Sequence, residues 1–285
     1  MSERITFRKL KSADLHVDAI YKGGPGNSFG DEPLHHLLGV SSQGGFRYLG
    51  NKDNLKLLVL TTTLADPDWP DNLDVETGIF TYFGDNKNPG QELHDTPRFG
   101  NQILRNIFTE LHTPDSTRSN IPPILIFSST GERRNVRFLG LAVPGAASLD
   151  SSEDLVALWK ISKGIRFQNY KARFTILDAS PITRKWIGDI KAGNPCSNNA
   201  PVAWVKWREG GVYDPLTAKR SLEHRSKEEQ LPQSEADLQL IKTIHGYFAD
   251  DPIGFERCAG AITRMFLPGI QEIELTRPTR DGGRD

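Results

Sequence analysis

Residues 74–101, DVETGIFTYFGDNKNPGQELHDTPRFGN, hold the most pointed chemistry in the chain. The Asp74 carboxylate can accept hydrogen bonds from the edge of a nucleobase, and the Tyr82 ring can stack on its face. Together they have the chemistry of a pocket for one extruded base. Plainer uses compete: Tyr82 on an alternating strand suits a core ring, and Asp74 can bond its own turn backbone as an Asx-turn. Trp69, beside Pro70, either lines such a pocket or covers a hydrophobic edge. Lys87 and Asn88 read as a loop touching phosphate and groove or as a solvated turn. His94-Asp95-Thr96 reads as a helix start, with His94 as a DNA contact the rival reading. Asp74, Glu76 and Asp85 could instead be the acids of a hydrolase if two of them converged ~5–10 Å apart. His35-His36 suggests metal at first sight, but adjacent histidines point different ways and no third ligand accompanies them. The glycine-rich GGPGNSFGDEP (23–33) lacks the Lys-Ser/Thr of a P-loop and reads as a mobile loop directed toward DNA.

These residues must be carried by short strands and few helices. Residues 56–62, 78–83, 124–128, 136–143 and 171–177 are β-branched or aromatic runs bounded by turn residues, and read as strands. One helix interrupts them. Asp95 or Thr96 can cap it, Pro97 suits its first turn, and Ile103, Leu104, Ile107, Phe108 and Leu111 share a face. Many strands with a few packed helices predict an α+β fold, a curved sheet or partly closed barrel. The texture changes near 191. Residues 191–237 read as a linker region, then an amphipathic helix over 238–248, a second from Asp251-Pro252, and a strand over 270–275. The expected division is therefore 1–190, a 191–237 linker, and 238–285.

Bulk composition excludes several classes. Net charge is −1 over 285 residues, so any contact with nucleic acid must use local positive charge. Residues 66–95 hold eight acids and one lysine, whereas 159–191 hold eight Lys/Arg and two acids with interleaved aromatics. The basic stretch, with Arg166, Lys171 and Arg173, is what a surface following a phosphate backbone needs; a strand pair with a solvated cationic face is the alternative. Two distant cysteines, Cys196 and Cys258, argue against a disulfide scaffold and fit a reducing cytoplasm. No apolar run reaches the ~18–20 residues of a membrane span, and the N-terminus lacks a signal-peptide core. A cytoplasmic protein without membrane contact is expected.

The run from Asp74 through Gly78, Phe80 and Tyr82 to Gly84 resembles the core of the SET- and RING-associated (SRA) domain, a reader of 5-methylcytosine. With residues 84–104 it is similar to the N-terminal domain of modification-dependent restriction endonucleases of the AspBHI type, distant relatives of MspJI. The resemblance covers most of 1–190. It implies an SRA-like fold that flips a 5-methyl- or 5-hydroxymethylcytosine out of double-stranded DNA. Asp74 would accept from the exocyclic amine, Tyr82 would form one stacking wall and Trp69 the second. For such a protein the candidate DNA contacts, from loop position and local charge rather than from the resemblance, are Lys87, Asn88, His94, Arg166, Lys171 and Arg173. A non-catalytic DNA- or RNA-binding module of PUA/SRA-like shape is the alternative.

The end of the chain, Arg277-Pro-Thr-Arg-Asp281-Gly-Gly-Arg-Asp285, resembles the opening of Mrr-like PD-(D/E)XK nuclease domains. There the acid after Gly-Gly binds the catalytic Mg2+, which makes Asp285 both metal ligand and catalytic candidate. The metal would activate water and neutralise the phosphoryl transition state. The second half of that motif does not follow in this sequence, so the chain is not expected to complete a nuclease site itself. Double-strand cleavage by such a domain would call for a homo-oligomer.

Overall fold

The computed structural model describes residues 3–26, 28–114, 116–218, 232 and 234–266. In chain order its elements are β1 (Arg4–Ile5), β2 (Ile20–Tyr21), α1 (Pro33–Leu38), β3 (Phe46–Asn51), β4 (Asn54–Thr62), β5 (Asn72–Asp74), β6 (Ile79–Phe83), α2 (Gly100–His112), β7 (Ile124–Ser129), β8 (Val136–Pro144), α3 (Ser151–Asp154), β9 (Leu155–Ser162), β10 (Ile165–Ile176), α4 (Arg184–Ala192), α5 (Val202–Gly210), α6 (Glu235–Tyr247) and α7 (Pro252–Phe266). The fold is α+β, as the strand-rich pattern predicts.

One mixed sheet organises the first unit, in the order β3-β4-β7-β8-β10-β6-β5, with β9 on β10 and β1–β2 beside β8. β4 and β7 run parallel; the other pairs on that path are antiparallel. The inner strands bury both faces, and Leu57–Leu60 and Ile124–Phe127 are all buried. The helix expected after Pro97 is α2. Ile103, Leu104, Ile107 and Phe108 face the core, where Phe108 meets Phe174 of β10 edge-on at 5.5 Å. Its start differs from expectation. Phe99 stands at the N-cap in the left-handed region, and neither Asp95 nor Thr96 caps the helix. The carboxylate of Asp85 accepts from the Gly100 and Asn101 N–H groups instead, at 2.9 and 3.0 Å. A remote acid thus serves the exposed helix dipole in place of a local cap.

The boundary also moves. The chain divides into two compact units, Met1–Arg220 and Ser221–Asp285, so the first part of the expected 191–237 linker belongs to the first unit. The reason is α5, whose Trp204 and Trp207 are fully buried with Trp186 of α4, at ring separations of 6.1 and 5.5 Å. Gly211, in the left-handed region, closes α5. In the second unit, Ser234 caps α6 through the Asp237 N–H, and Phe248 contacts Phe255 at 5.8 Å. The 270–275 strand and the 277–285 motif lie outside the described residues. Among the described residues no helix is long and apolar enough to cross a membrane.

If α5 is core, Trp207→Ala should lower unfolding free energy by about 3–5 kcal/mol, read from the denaturant midpoint. An unchanged midpoint would return this segment to the linker.

Candidate functional site

The sheet curls until strands far apart in its order come together. The carbonyl of Gly45, just before β3, accepts from the Thr61 N–H of β4 at 2.7 Å. A methyl group built on Gly45 would lie 3.6 Å from the Tyr82 hydroxyl of β6. Asp71, just before β5, accepts from the Phe83 N–H at 2.8 Å and from the Thr62 hydroxyl of β4. β4 and β6 are separated in the sheet by β7, β8 and β10, so the approach of Gly45 to Tyr82 and the bond between Asp71 and Thr62 form a seam.

A cavity of about 590 Å³ opens at that seam, within the usual range of about 300–1,000 Å³ for ligand sites. Its walls come from loop 29–32, loop 42–45, the end of β4 at Thr61–Thr63, Asp66, Asp71, Lys87, and the β7–β8 turn from Ser129 to Val136. Ion pairs, one of them buried, hold the walls on two sides. Arg47 donates to Glu32 at 2.6 Å, to the Gly44 carbonyl at 2.6 Å and to the Ser41 carbonyl at 3.1 Å. Glu32 also caps α1 through the His35 N–H. On the other side Lys87 pairs with Asp66 at 3.1 Å. The rim carries Arg133 and Arg134, the latter 5.0 Å over the exposed Phe29 ring.

Among the described residues Asp71, 7% exposed, is one of two buried acids of this cavity; the other, Glu32 at 4%, is paired with Arg47. Burial pushes its pKa up, against the hydrogen bonds from Phe83 and Thr62 that favour the carboxylate. Tyr82 is buried below the seam; burial first, then the Asp71 and Asp85 carboxylates, raise its hydroxyl pKa well above the ordinary phenol value. The arrangement offers a carboxylate acceptor, the amide of Gln43, and the hydroxyls of Ser42, Thr61, Thr62, Thr63 and Ser129. Those groups can hydrogen-bond a polar ligand.

The sequence-predicted site residues are only partly gathered here. Asp74 is exposed at the β5–β6 turn, accepts from the Glu76 N–H at 2.9 Å, and does not line the cavity. The acid of this hairpin that lines the cavity is Asp71. The physical reason is register: Asp74 pairs with Ile79 and Asn72 with Thr81, which sets Asp71, not Asp74, opposite Tyr82. Asp74 and Asp85 lie at opposite ends of β6, about 17 Å of strand, so these two acids do not converge. Trp69 is buried behind the wall against Phe83 and Phe167, at 5.6 and 6.0 Å, and its indole N–H donates to the Lys87 carbonyl.

Lys87 lines the cavity; Asn88 is exposed beside it. His94 bonds the Tyr170 hydroxyl at 2.9 Å, and burial lowers its pKa; it borders a separate cleft with Arg105 and Gln168. Arg166 is exposed on the β9–β10 hairpin. Lys171 and Arg173 are half-buried on β10. Burial lowers the Lys171 pKa, and Arg173 donates to the Thr81 hydroxyl at 2.8 Å. His35 and His36 hydrogen-bond the carbonyls of Val40 and Gly30. Asp285 lies outside the described residues, and among those described no group of three or more His, Cys, Asp or Glu converges as a metal site. Sequence reasoning missed Asp71, Gln43, Arg47, Arg133 and Arg134.

The raised pKa of Asp71 has a definite sign. A carboxyl whose folded pKa exceeds its unfolded value adds stability below the ordinary value of about 4 and loses it as pH rises through the folded pKa. The stability of the protein relative to its Asp71→Asn variant should therefore fall with pH across that window. A difference that grows with pH would mean that Asp71 is held as a stabilised carboxylate.

The family described as restriction endonuclease AspBHI, N-terminal, matches residues 15–219. Among solved structures, the DNA modification-dependent restriction endonuclease AspBHI is 51% identical, with a TM-score of 0.74, over 99% of this chain and 72% of that one. The DNA recognition domain of the cytosine modification-dependent restriction endonuclease LpnPI is 40% identical, with a TM-score of 0.72, over 77% of this chain and 98% of that one. MspJI in complex with a 27-mer oligonucleotide is 19% identical, with a TM-score of 0.54, over 90% of this chain and 66% of that one, a likeness of fold. None of the curated proteins matches. The SRA-like α+β fold, the seam that shapes its cavity and the match over 15–219 lead to one assignment: the chain belongs to the AspBHI N-terminal family of restriction endonucleases.

Proposed function

We propose that the seam cavity takes up one modified cytosine swung out of double-stranded DNA, and that the chain is the reading part of a modification-dependent restriction endonuclease. The observation that carries this reading is the buried Asp71 carboxylate in a polar cavity of ligand size. Its support is the family, since AspBHI is a DNA modification-dependent restriction endonuclease and the LpnPI domain a DNA recognition domain.

In this reading Asp71 accepts from the exocyclic amine of the base, and the Gln43 amide reaches another polar edge atom. Phe29, 59% exposed on the rim, supplies an aromatic face, with Tyr82 and Trp69 as rigid backing. Stacking and edge contacts worth ~1–3 kcal/mol per base can offset the few kcal/mol of unstacking. Arg133, Arg134 and Lys87 bring positive charge to the mouth, where phosphates flank the extruded nucleotide. The acidic run 66–95 fits this arrangement because Asp66 and Asp71 face the cavity rather than the duplex. Strand scission with Mg2+ would be the work of a complete nuclease domain, of which the segment from 238 carries the opening, with Asp285 as its candidate ligand.

Duplexes with and without a single 5-methylcytosine, titrated across a salt series, test the reading. A methyl group in a fitted niche adds roughly 0.8 kcal/mol, so the modified duplex should bind at least about fourfold tighter. Asp71→Asn should bring the ratio toward one: the Phe83 N–H takes the amide oxygen, and an NH2 group then meets the cytosine amine. Asp74→Ala should leave the ratio intact. Equal affinity of the unaltered protein for both duplexes would refute the assignment.

A further inference from the structure

β9 and β10 form a hairpin that outruns the rest of the sheet. β10 pairs with β6 over Lys171–Thr175, whereas Ile165–Asn169 pair with β9 and, among the described residues, with no other strand. Lys163 and Gly164 make the turn, both in the left-handed region at φ 50° and 77°. The two faces of this ribbon differ. On the inner face Phe167 and Leu158 pack against Trp69, Lys160 sits 4.7 Å over the Trp69 ring, and Lys160 pairs with Asp68. Trp69 in turn bonds Asp66 through its backbone N–H and Lys87 through its indole, and both residues line the seam cavity. The ribbon is therefore docked on the cavity wall.

The outer face is apolar and exposed. Trp159 is 56% exposed and Ile161 69%, and the Arg166 guanidinium lies 4.0 Å from the Trp159 ring centre; Ile165, 52% exposed at the tip, belongs by register to the other face. Contiguous exposed apolar side chains mark an interaction surface. Charge identifies the partner: residues 155–173 contain five Lys/Arg and no Asp or Glu, so this strand pair suits a polyanion. DNA grooves present sugars and base edges between two rows of phosphate, and the major groove admits a two-stranded β-ribbon.

We propose that the β9–β10 hairpin is a second DNA-contacting element, lying in a groove of the duplex that delivers a base to the cavity. Trp159 and Ile161 meet sugars and base edges, and Arg166 and Lys163 meet phosphates. The proposal rests on the base-reading function of the seam cavity for its duplex partner, but its test reads contact rather than preference.

Of the five tryptophans, Trp159 is the exposed one; Trp69 is 4% exposed and Trp186, Trp204 and Trp207 are fully buried. Acrylamide quenching of the full chain should show one readily quenched component that Trp159→Phe removes. Saturating methylated duplex should shield that component. Trp159→Ala should weaken binding of methylated and unmethylated duplex alike, by roughly five- to a hundredfold, leaving their ratio unchanged. Arg166→Gln should reduce the salt slope by about one. A component that stays fully quenchable in the complex, or Trp159→Ala binding as the unaltered protein does, overturns the proposal. So does shielding in the free protein that grows with concentration and sedimentation coefficient, which would make the partner a second copy. A protein with no methyl preference whose Trp159 is still shielded by duplex would sink the base-reading function and leave the hairpin contact standing.

Discussion

In a sheet of the order β3-β4-β7-β8-β10-β6-β5, β4 and β6 meet only if the sheet curls, and one carboxylate spans the place where they do. Taking a carboxylate out of water costs several kcal/mol unless hydrogen bonds replace its hydration. Asp71 recovers part of that through the Phe83 N–H on one side of the seam and the Thr62 hydroxyl on the other. Its raised pKa shows that the recovery is incomplete. A buried carboxyl at the wall of a polar cavity is a place where a ligand donor can add a further hydrogen bond. The group that joins the seam thus also lines the cavity.

The surrounding loops are held by paired charge. Arg47 reaches Glu32 and two carbonyls of the 41–44 loop, while Lys87 reaches Asp66. Removing one member of the buried Arg47–Glu32 pair leaves the other charge stranded, which costs about 3–5 kcal/mol, so the loops behave as parts of the scaffold. Behind the wall, Trp69, Phe83 and Phe167 form a small cluster apart from the main core. Through it the wall shares its support with the β9–β10 hairpin. Shape at the cavity therefore depends on residues that never line it.

Much of this was legible in the chain. Alternating aromatic and β-branched runs located β4, β6, β7, β8 and the end of β10, and helical spacing found the core face of α2. The curl was foreseeable only as a class of fold, because seams are made by contacts distant in sequence, such as Asp71 with Thr62. The acid was displaced by three residues for a reason the sequence did contain. Asp74 and Gly78 bracket a hairpin turn, and counting back from Asp74–Ile79 sets residue 71 across from Tyr82. Asp74 had the stronger motif, yet its carboxylate is engaged with its own turn. Gln43, Arg133 and Arg134 carried no local signal, since turn-rich loops become site walls only after the sheet brings them together. The two tryptophans of α5 were visible but sat in a stretch whose Gly-Gly and polar neighbours resemble a linker.

The most direct test is a crystal structure of the protein with a duplex containing one 5-methylcytosine. The account predicts that base outside the helical stack and inside the seam cavity, its exocyclic amine within hydrogen-bonding distance of the Asp71 carboxylate. A modified base still paired in its duplex, with the cavity facing solvent, would contradict it.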